Sequence, residues 1–194
     1  MNKKTALSLI TLFYVAVLAS QHYIPFYTRG SAREALVVQK MYYSKNYIVP
    51  RGYADSIASK PPFFHWLGTA ISHLTKTPPN ELTVRAASVL FSFLFAIFFY
   101  LYLLNIENSS LALTATFILL AMPEWFRHSF AARVDITLAS LTALALLIWF
   151  KSEGKTLRIL LSGILTTFAV LTKGPVGFVL PAIIAFLYAF LFKK

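Results

Sequence analysis

The 194-residue chain contains no cysteine, which excludes a disulfide framework, a thiolate metal site and a cysteine nucleophile. Acidic residues are scarce: 7 Asp and Glu stand against 18 Lys and Arg, for a net charge of +11. In a soluble protein that balance would point to nucleic acid. Here the basic residues flank apolar runs, so anionic membrane lipids are the expected partners and nucleic acid is not. No acidic residue falls in the middle of an apolar run, which removes the coupling carboxylate expected of a small ion-driven transporter. Internal repeats and low-complexity stretches are also absent.

What the chain does contain is apolar surface. Hydrophobic residues make up 58% of it, and the mean hydropathy is +0.67, too high for an ordinary soluble domain. A membrane-crossing helix needs about 20 mostly apolar residues. Six segments approach this, roughly 5–23, 84–104, 109–124, 135–150, 157–173 and 175–192, the third to fifth being short. The expected fold is therefore an all-α polytopic membrane protein with about six transmembrane helices. It reads as one membrane domain, 1–194, with a first span (1–23), a long outer loop (24–83) and the remaining spans (84–194). The first apolar run follows Lys3 and Lys4 and resembles a signal peptide, but it continues towards "YIPFY", and an uncleaved anchor is the better reading. If Lys3 and Lys4 are cytoplasmic, alternation places Lys151, Lys155, Arg158, Lys193 and Lys194 on the same side. The long loop and the turns at 124–134 and 173–175 then face outward.

Within the loop, "SAREALVVQKMYYSK" places Ala32, Ala35, Leu36 and Met41 near one side, as expected of a helix lying along the membrane interface. Pro50, Gly52 and the Pro61-Pro62 pair favour extended or turning backbone. "FFHWLGTAISHL" is apolar but too short to span, so a second interfacial or re-entrant helix is expected there.

Four motifs occur in order: "GSAREALVVQKMYYSKNYIVPRGYADSIASKPPFFHWL", "ELTVRAASVL", "RVDITLAS" and "LTKGPVGFVLP". Together they resemble the N-terminal part of the GT-C membrane glycosyltransferases, in the bacterial branch that contains the lipid A aminoarabinose transferases and relatives of the dolichyl-phosphate-mannose protein mannosyltransferases. The resemblance implies sugar transfer from a polyprenyl-phosphate donor to a lipid or protein acceptor at the outer face of a bacterial inner membrane. Family members are longer, so this chain reads as a front half, with the remaining spans supplied by a continuing frame or a companion chain.

Lys60 precedes the stiff Pro61-Pro62 step. Cleavage of a glycosyl phosphate leaves negative charge on the lipid phosphate, which a fixed ammonium stabilises most in the transition state. The ordinary alternative is an interfacial lysine snorkelling to water. Lys173, before Gly174-Pro175, carries the same two readings. Asp135 near the start of the fourth span is either a helix-dipole partner or, as the resemblance implies, a cavity carboxylate that organises Lys60 or the acceptor. The resemblance also implies phosphate contacts at Arg33 and Arg85. Trp66, with Trp125 and Tyr53, fits an aromatic belt, or a surface on which sugar stacks.

The chain departs from the family where acids are expected. Gly30 and Ser31 stand in place of the usual Asp-Glu pair, leaving Asp55, ahead of Glu34, as candidate general base. Ser59 replaces the Glu that some relatives carry before "KPP", a carboxylate implicated in metal binding, so the case for a divalent metal is weak and no other cofactor is indicated. His65 and His73 lie eight residues apart without a third ligand, a weak zinc case. These departures support a second reading, a noncatalytic membrane module that retains the lipid-phosphate surface.

Overall fold

The computed structural model describes residues 2–21, 24–152 and 154–192; expectations placed on Tyr23, Lys193 and Lys194 lie outside them. Every described regular element of any length is helical: α1 (Lys3–Ser20), α2 (Arg29–Ser44), α3 (Phe63–Leu74), α4 (Glu81–Leu103), α5 (Ser109–Ala121), α6 (Pro123–Ser129), α7 (Val134–Phe150), α8 (Thr156–Lys173) and α9 (Val176–Phe192). Local chemistry sets many of the boundaries. The Asn2, Thr28, Asn80 and Asn108 side chains accept hydrogen bonds from the first-turn amides of α1, α2, α4 and α5. Gly174, at φ +70°, ends α8 in a conformation that disfavours side chains.

All six apolar segments are helical, but they do not read as six equal spans. By length and composition α1, α4 and α8 can cross a membrane, and α5 with α6 makes a fourth only as one span bent by 75°. Pro123 begins α6 and holds Met122 in extended backbone, which produces that bend. The helices α7 and α9 have 17 residues each, about 25 Å of rise, short of the bilayer's hydrocarbon thickness unless the membrane thins around them.

Three apolar clusters hold the bundle. Ile10, Tyr14, Tyr100, Leu120 and Phe130 join α1, α4, α5 and the end of α6. Val38, Phe64, Val84 and Val134 join α2, α3, α4 and the start of α7. Phe63, Leu138, Leu141 and Ala169 join α3, α7 and α8. The long loop thus packs two helices into the core rather than resting them on a surface. The α2 helix buries Ser31, Glu34, Val37, Val38 and Met41, whereas Ala32 is exposed and Ala35 and Leu36 are partly so. The expected face is therefore wrong by a rotation about the helix axis. Apolarity alone placed it, while the observed face carries a buried charge, Glu34, partnered by His65 of α3 and by Arg33 of α2 itself.

Candidate functional site

The α7 helix runs away from Asp135 and α8 returns to Lys173, so these residues meet at one end of the bundle while Lys151 and Lys155 lie at the other. Lys173 Nζ is 2.5 Å from Asp135 Oδ1, and the Arg133 guanidinium reaches Oδ2 at 3.0 Å. Both placements suit the helix dipoles, with a carboxylate in the first turn of α7 and an ammonium in the last turn of α8. The α7 start is anchored to α4: Arg133 N–H donates to Ser88 Oγ, and Ser88 O–H donates to the Arg133 carbonyl, both at 3.1 Å. Arg133 also lies across α2. A Cβ at Gly30 would fall 1.8 Å from its Nη1, so the absence of a side chain at position 30 makes room for the guanidinium.

A second charged group is buried between α2 and α3. Glu34 is 3% exposed and His65 fully buried, with His65 Nε2 2.8 Å from Glu34 Oε2. Arg33 donates through Nε and Nη2 to Glu34 Oε1 at 3.1 and 2.8 Å. Burial pushes the Glu34 carboxyl up, but the hydrogen bonds and charges of His65 and Arg33 outweigh it and hold the group below its ordinary value. Glu34 and Arg33 line a cavity of about 290 Å³, closed on its other side by Gly52, Tyr53 and Ser56 to Ser59.

Lys60 follows that wall directly. Its ammonium makes no hydrogen bond or ion pair with another described residue, while Phe63, three residues on, packs its ring 4.7 Å from Phe168 of α8. The Pro-Pro step therefore presents Lys60 at the same end as Lys173. The other expected residues are placed elsewhere. Asp55 is 73% exposed and pairs with Lys40 and Arg51 at 3.4 and 3.5 Å, beside a different cavity from Glu34. Arg85 is buried and donates to the carbonyls of Gln21 (2.7 Å) and Pro25 (3.1 Å), with Phe26 under its guanidinium. This clamps the segment after α1. Trp66 donates its indole N–H to the Tyr47 carbonyl and packs on the α3–α7–α8 cluster. His73 stacks on Tyr42 at 4.5 Å, away from His65. Among the described residues no group of three metal-ligating side chains converges.

Residues 59–194 match the family of dolichyl-phosphate-mannose-protein mannosyltransferases. The chain belongs to that family. An uncharacterized protein of Aquifex aeolicus (strain VF5) is 28% identical over 159 residues, covering 79% of this chain and 31% of that protein. Two crystal structures of ArnT from Cupriavidus metallidurans share the fold, each with a TM-score of 0.83 at 21% identity. The apo structure matches 95% of this chain and the structure bound to undecaprenyl phosphate 98%, in both cases over 36% of the ArnT chain. This mannosyltransferase-family chain thus spans about a third of the length of the relatives it matches. It is a GT-C glycosyltransferase-like membrane protein, all-helical, with the resemblance in "KPP", "RVD" and "LTKGP" set on one end of the bundle. Sequence reasoning missed the partners of that end. The sequence offers His65 only as half of a weak zinc pair and Arg133 only as a residue two before Asp135, whereas in the fold His65 partners Glu34 and Arg133 partners Asp135. In the sequence, their only signal is a basic or titratable residue beside a motif.

Proposed function

We propose that this chain binds a polyprenyl-phosphate sugar at the end where α2, α3, the start of α7 and the end of α8 meet, as part of a glycosyltransferase acting at the outer face of a bacterial inner membrane. One observation carries the reading. Lys60 stands on a rigid Pro-Pro step without a partner among the described residues, at the end that also holds the Arg133–Asp135–Lys173 cluster. An ammonium with no described partner, at the same end as a cluster of two cations and one carboxylate, leaves positive charge for a phosphate. Arg33, with Nη1 not engaged by Glu34, adds donors from α2.

In the transfer, an acceptor hydroxyl oxygen forms a bond to the sugar's anomeric carbon, the bond from that carbon to the phosphate oxygen breaks with its electron pair, and the hydroxyl proton passes to the departing phosphate. The cations lower the energy of the departing polyprenyl phosphate as its charge grows. Asp135 fixes Lys173 and Arg133 in place. Acceptors of lipid or protein type, and a companion chain providing further spans, complete the reading. A noncatalytic lipid-phosphate module is supported by a separate observation: Glu34, Asp55 and Asp135 are each engaged by cations, leaving no unpaired carboxylate among these three to accept a proton.

Undecaprenyl phosphate binding in nanodiscs, with Lys60→Ala beside wild type, tests the site. Loss of one charge-assisted contact is expected to weaken binding about tenfold. Equal affinities for the two proteins would remove Lys60 from the phosphate site. Incubation with a glycosylated lipid and acceptor then separates transferase from module.

A further inference from the structure

A groove at the opposite end of the bundle takes no part in the proposed transfer. It lies between α4, α7 and α8 and has a volume of about 370 Å³, within the range of small-ligand sites. Phe98 of α4, Leu147 of α7 and Leu161 of α8 form its apolar floor, and Tyr102, Lys151 and Arg158 form its rim. Phe98 stands four residues from Tyr102 and Leu147 four from Lys151, so the floor lies about 6 Å further along the helices than the rim, towards the middle of the bundle. Leu161 is 42% exposed, which leaves the groove open along α8.

The rim fixes its cations without neutralising them. The Lys151 ammonium stands over the Tyr102 ring at 4.2 Å, a contact that holds the charge in place but does not cancel it. It makes no hydrogen bond or ion pair with another described residue. The Arg158 guanidinium donates to the Lys151 carbonyl, which satisfies the end of α7 and sets the second cation on the same rim. Between 151 and 158 the sequence carries Lys151, Lys155 and Arg158 against one acid, Glu153, so positive charge is in excess. Helix stability does not account for it, because Arg158 lies in the first turn of α8, where the helix dipole disfavours a cation. Charge at the rim and apolar surface below it select the occupant. A soluble anion would leave the floor bare to water, and a lipid without net charge would leave the cations unmatched. A lipid with an anionic headgroup satisfies both parts, as basic pockets between membrane helices do elsewhere.

We infer that this groove binds one anionic phospholipid, with its phosphodiester against Lys151 and Arg158 and the first methylenes of an acyl chain on Phe98, Leu147 and Leu161. The site is separate from the polyprenyl-phosphate reading, since it lies at the far ends of α7 and α8 from Asp135 and Lys173. A lipid seated there ties α4 to the α7–α8 hairpin that carries those two residues.

Native mass spectrometry of the full chain released from detergent tests this, with phosphatidylglycerol, cardiolipin, phosphatidylcholine of matched chains and glycerol 3-phosphate as probes. Wild type is expected to bind phosphatidylglycerol or cardiolipin about tenfold more tightly than phosphatidylcholine, the gain of one charge-assisted contact; a preference for either anionic lipid upholds the site. Lys151→Gln, an exposed position that does not threaten folding, reduces that preference to within about twofold, and Lys151→Arg, which keeps a cation over the ring, restores it. Leu147→Trp fills the floor and weakens the anionic lipids while the rim charges remain. Lys3→Gln/Lys4→Gln is the control for a merely basic rim: these lysines start α1 at the same end, where Ala6 packs in the cluster of Tyr100, and their loss is expected to leave the preference unchanged. Four results would overturn the inference: a wild type that does not discriminate, a Lys151→Gln variant that keeps the full preference, an equal loss in the Lys3/Lys4 variant, or glycerol 3-phosphate binding as tightly as the lipids.

Discussion

Glu34 and His65 form a buried pair across the α2–α3 contact. Removing one partner leaves the other unpaired in the core, a loss of about 3–5 kcal/mol, so Glu34→Ala is expected to destabilise the chain strongly in denaturant melts. A Glu34→Leu/His65→Leu double variant is expected to recover much of that loss, since an apolar pair carries no desolvation penalty. The pH dependence has a definite sign. Glu34 has its folded value held below the ordinary 4.5, so its contribution is fully present above about pH 4.5 and is lost as pH falls through the folded value. Melts from pH 7 to 3 should show an acid-side decline that is smaller in Glu34→Gln; identical slopes would show that the pairing does not stabilise the fold. The residue identities were readable in the sequence, but the pairing was not, because 31 positions separate the partners and only the crossing of α2 on α3 brings them together.

At the scale of elements, small residues decide where helices meet. A Cβ at Gly177 would lie 2.3 Å from the backbone carbon of Ala169, so α9 crosses α8 backbone to backbone, as small residues permit in membranes. Gly163, by contrast, has nothing within 4 Å of its built Cβ. Gly177→Leu is expected to separate α9 from α8, by overpacking of about 1–3 kcal/mol or more. Gly163→Ala should instead stabilise α8 by roughly 0.4–1 kcal/mol. Thermal melts in detergent that rank these two variants the other way would contradict the crossing. Hydropathy located every long helix to within a few residues, because burial in lipid is a property of each segment by itself. The α2 face expected from Ala32, Ala35, Leu36 and Met41 is off by a rotation, because Ser31 and Glu34 are buried along with Val37, Val38 and Met41.

For the whole molecule, the lack of cysteine becomes an experimental advantage. Lys60→Cys and Lys173→Cys stand at one end of the bundle and Lys151→Cys at the other, so a membrane-impermeant maleimide applied to intact cells should label the first two and spare the third. Labelling of Lys60→Cys and Lys173→Cys from opposite sides would dissolve the proposed site, and labelling of Lys151→Cys alone would reverse the orientation. On α9 the side chains of Phe186, Phe190 and Phe192 are largely exposed, in keeping with an apolar surface that faces lipid or further helices.

The sequence by itself determined the class of the molecule, the location of its helices and the run of motifs that resembles the family, since hydropathy, capping and short motifs are local properties. Only the tertiary structure decided which charges meet. It joined Lys173 to Asp135 across 38 positions, placed Glu34 against His65, directed Arg85 to the backbone after α1, and left Lys60 without a partner among the described residues while pairing Asp55 at the surface. Charge partnership depends on distance through space, and that distance is set by how helices cross rather than by their order along the chain.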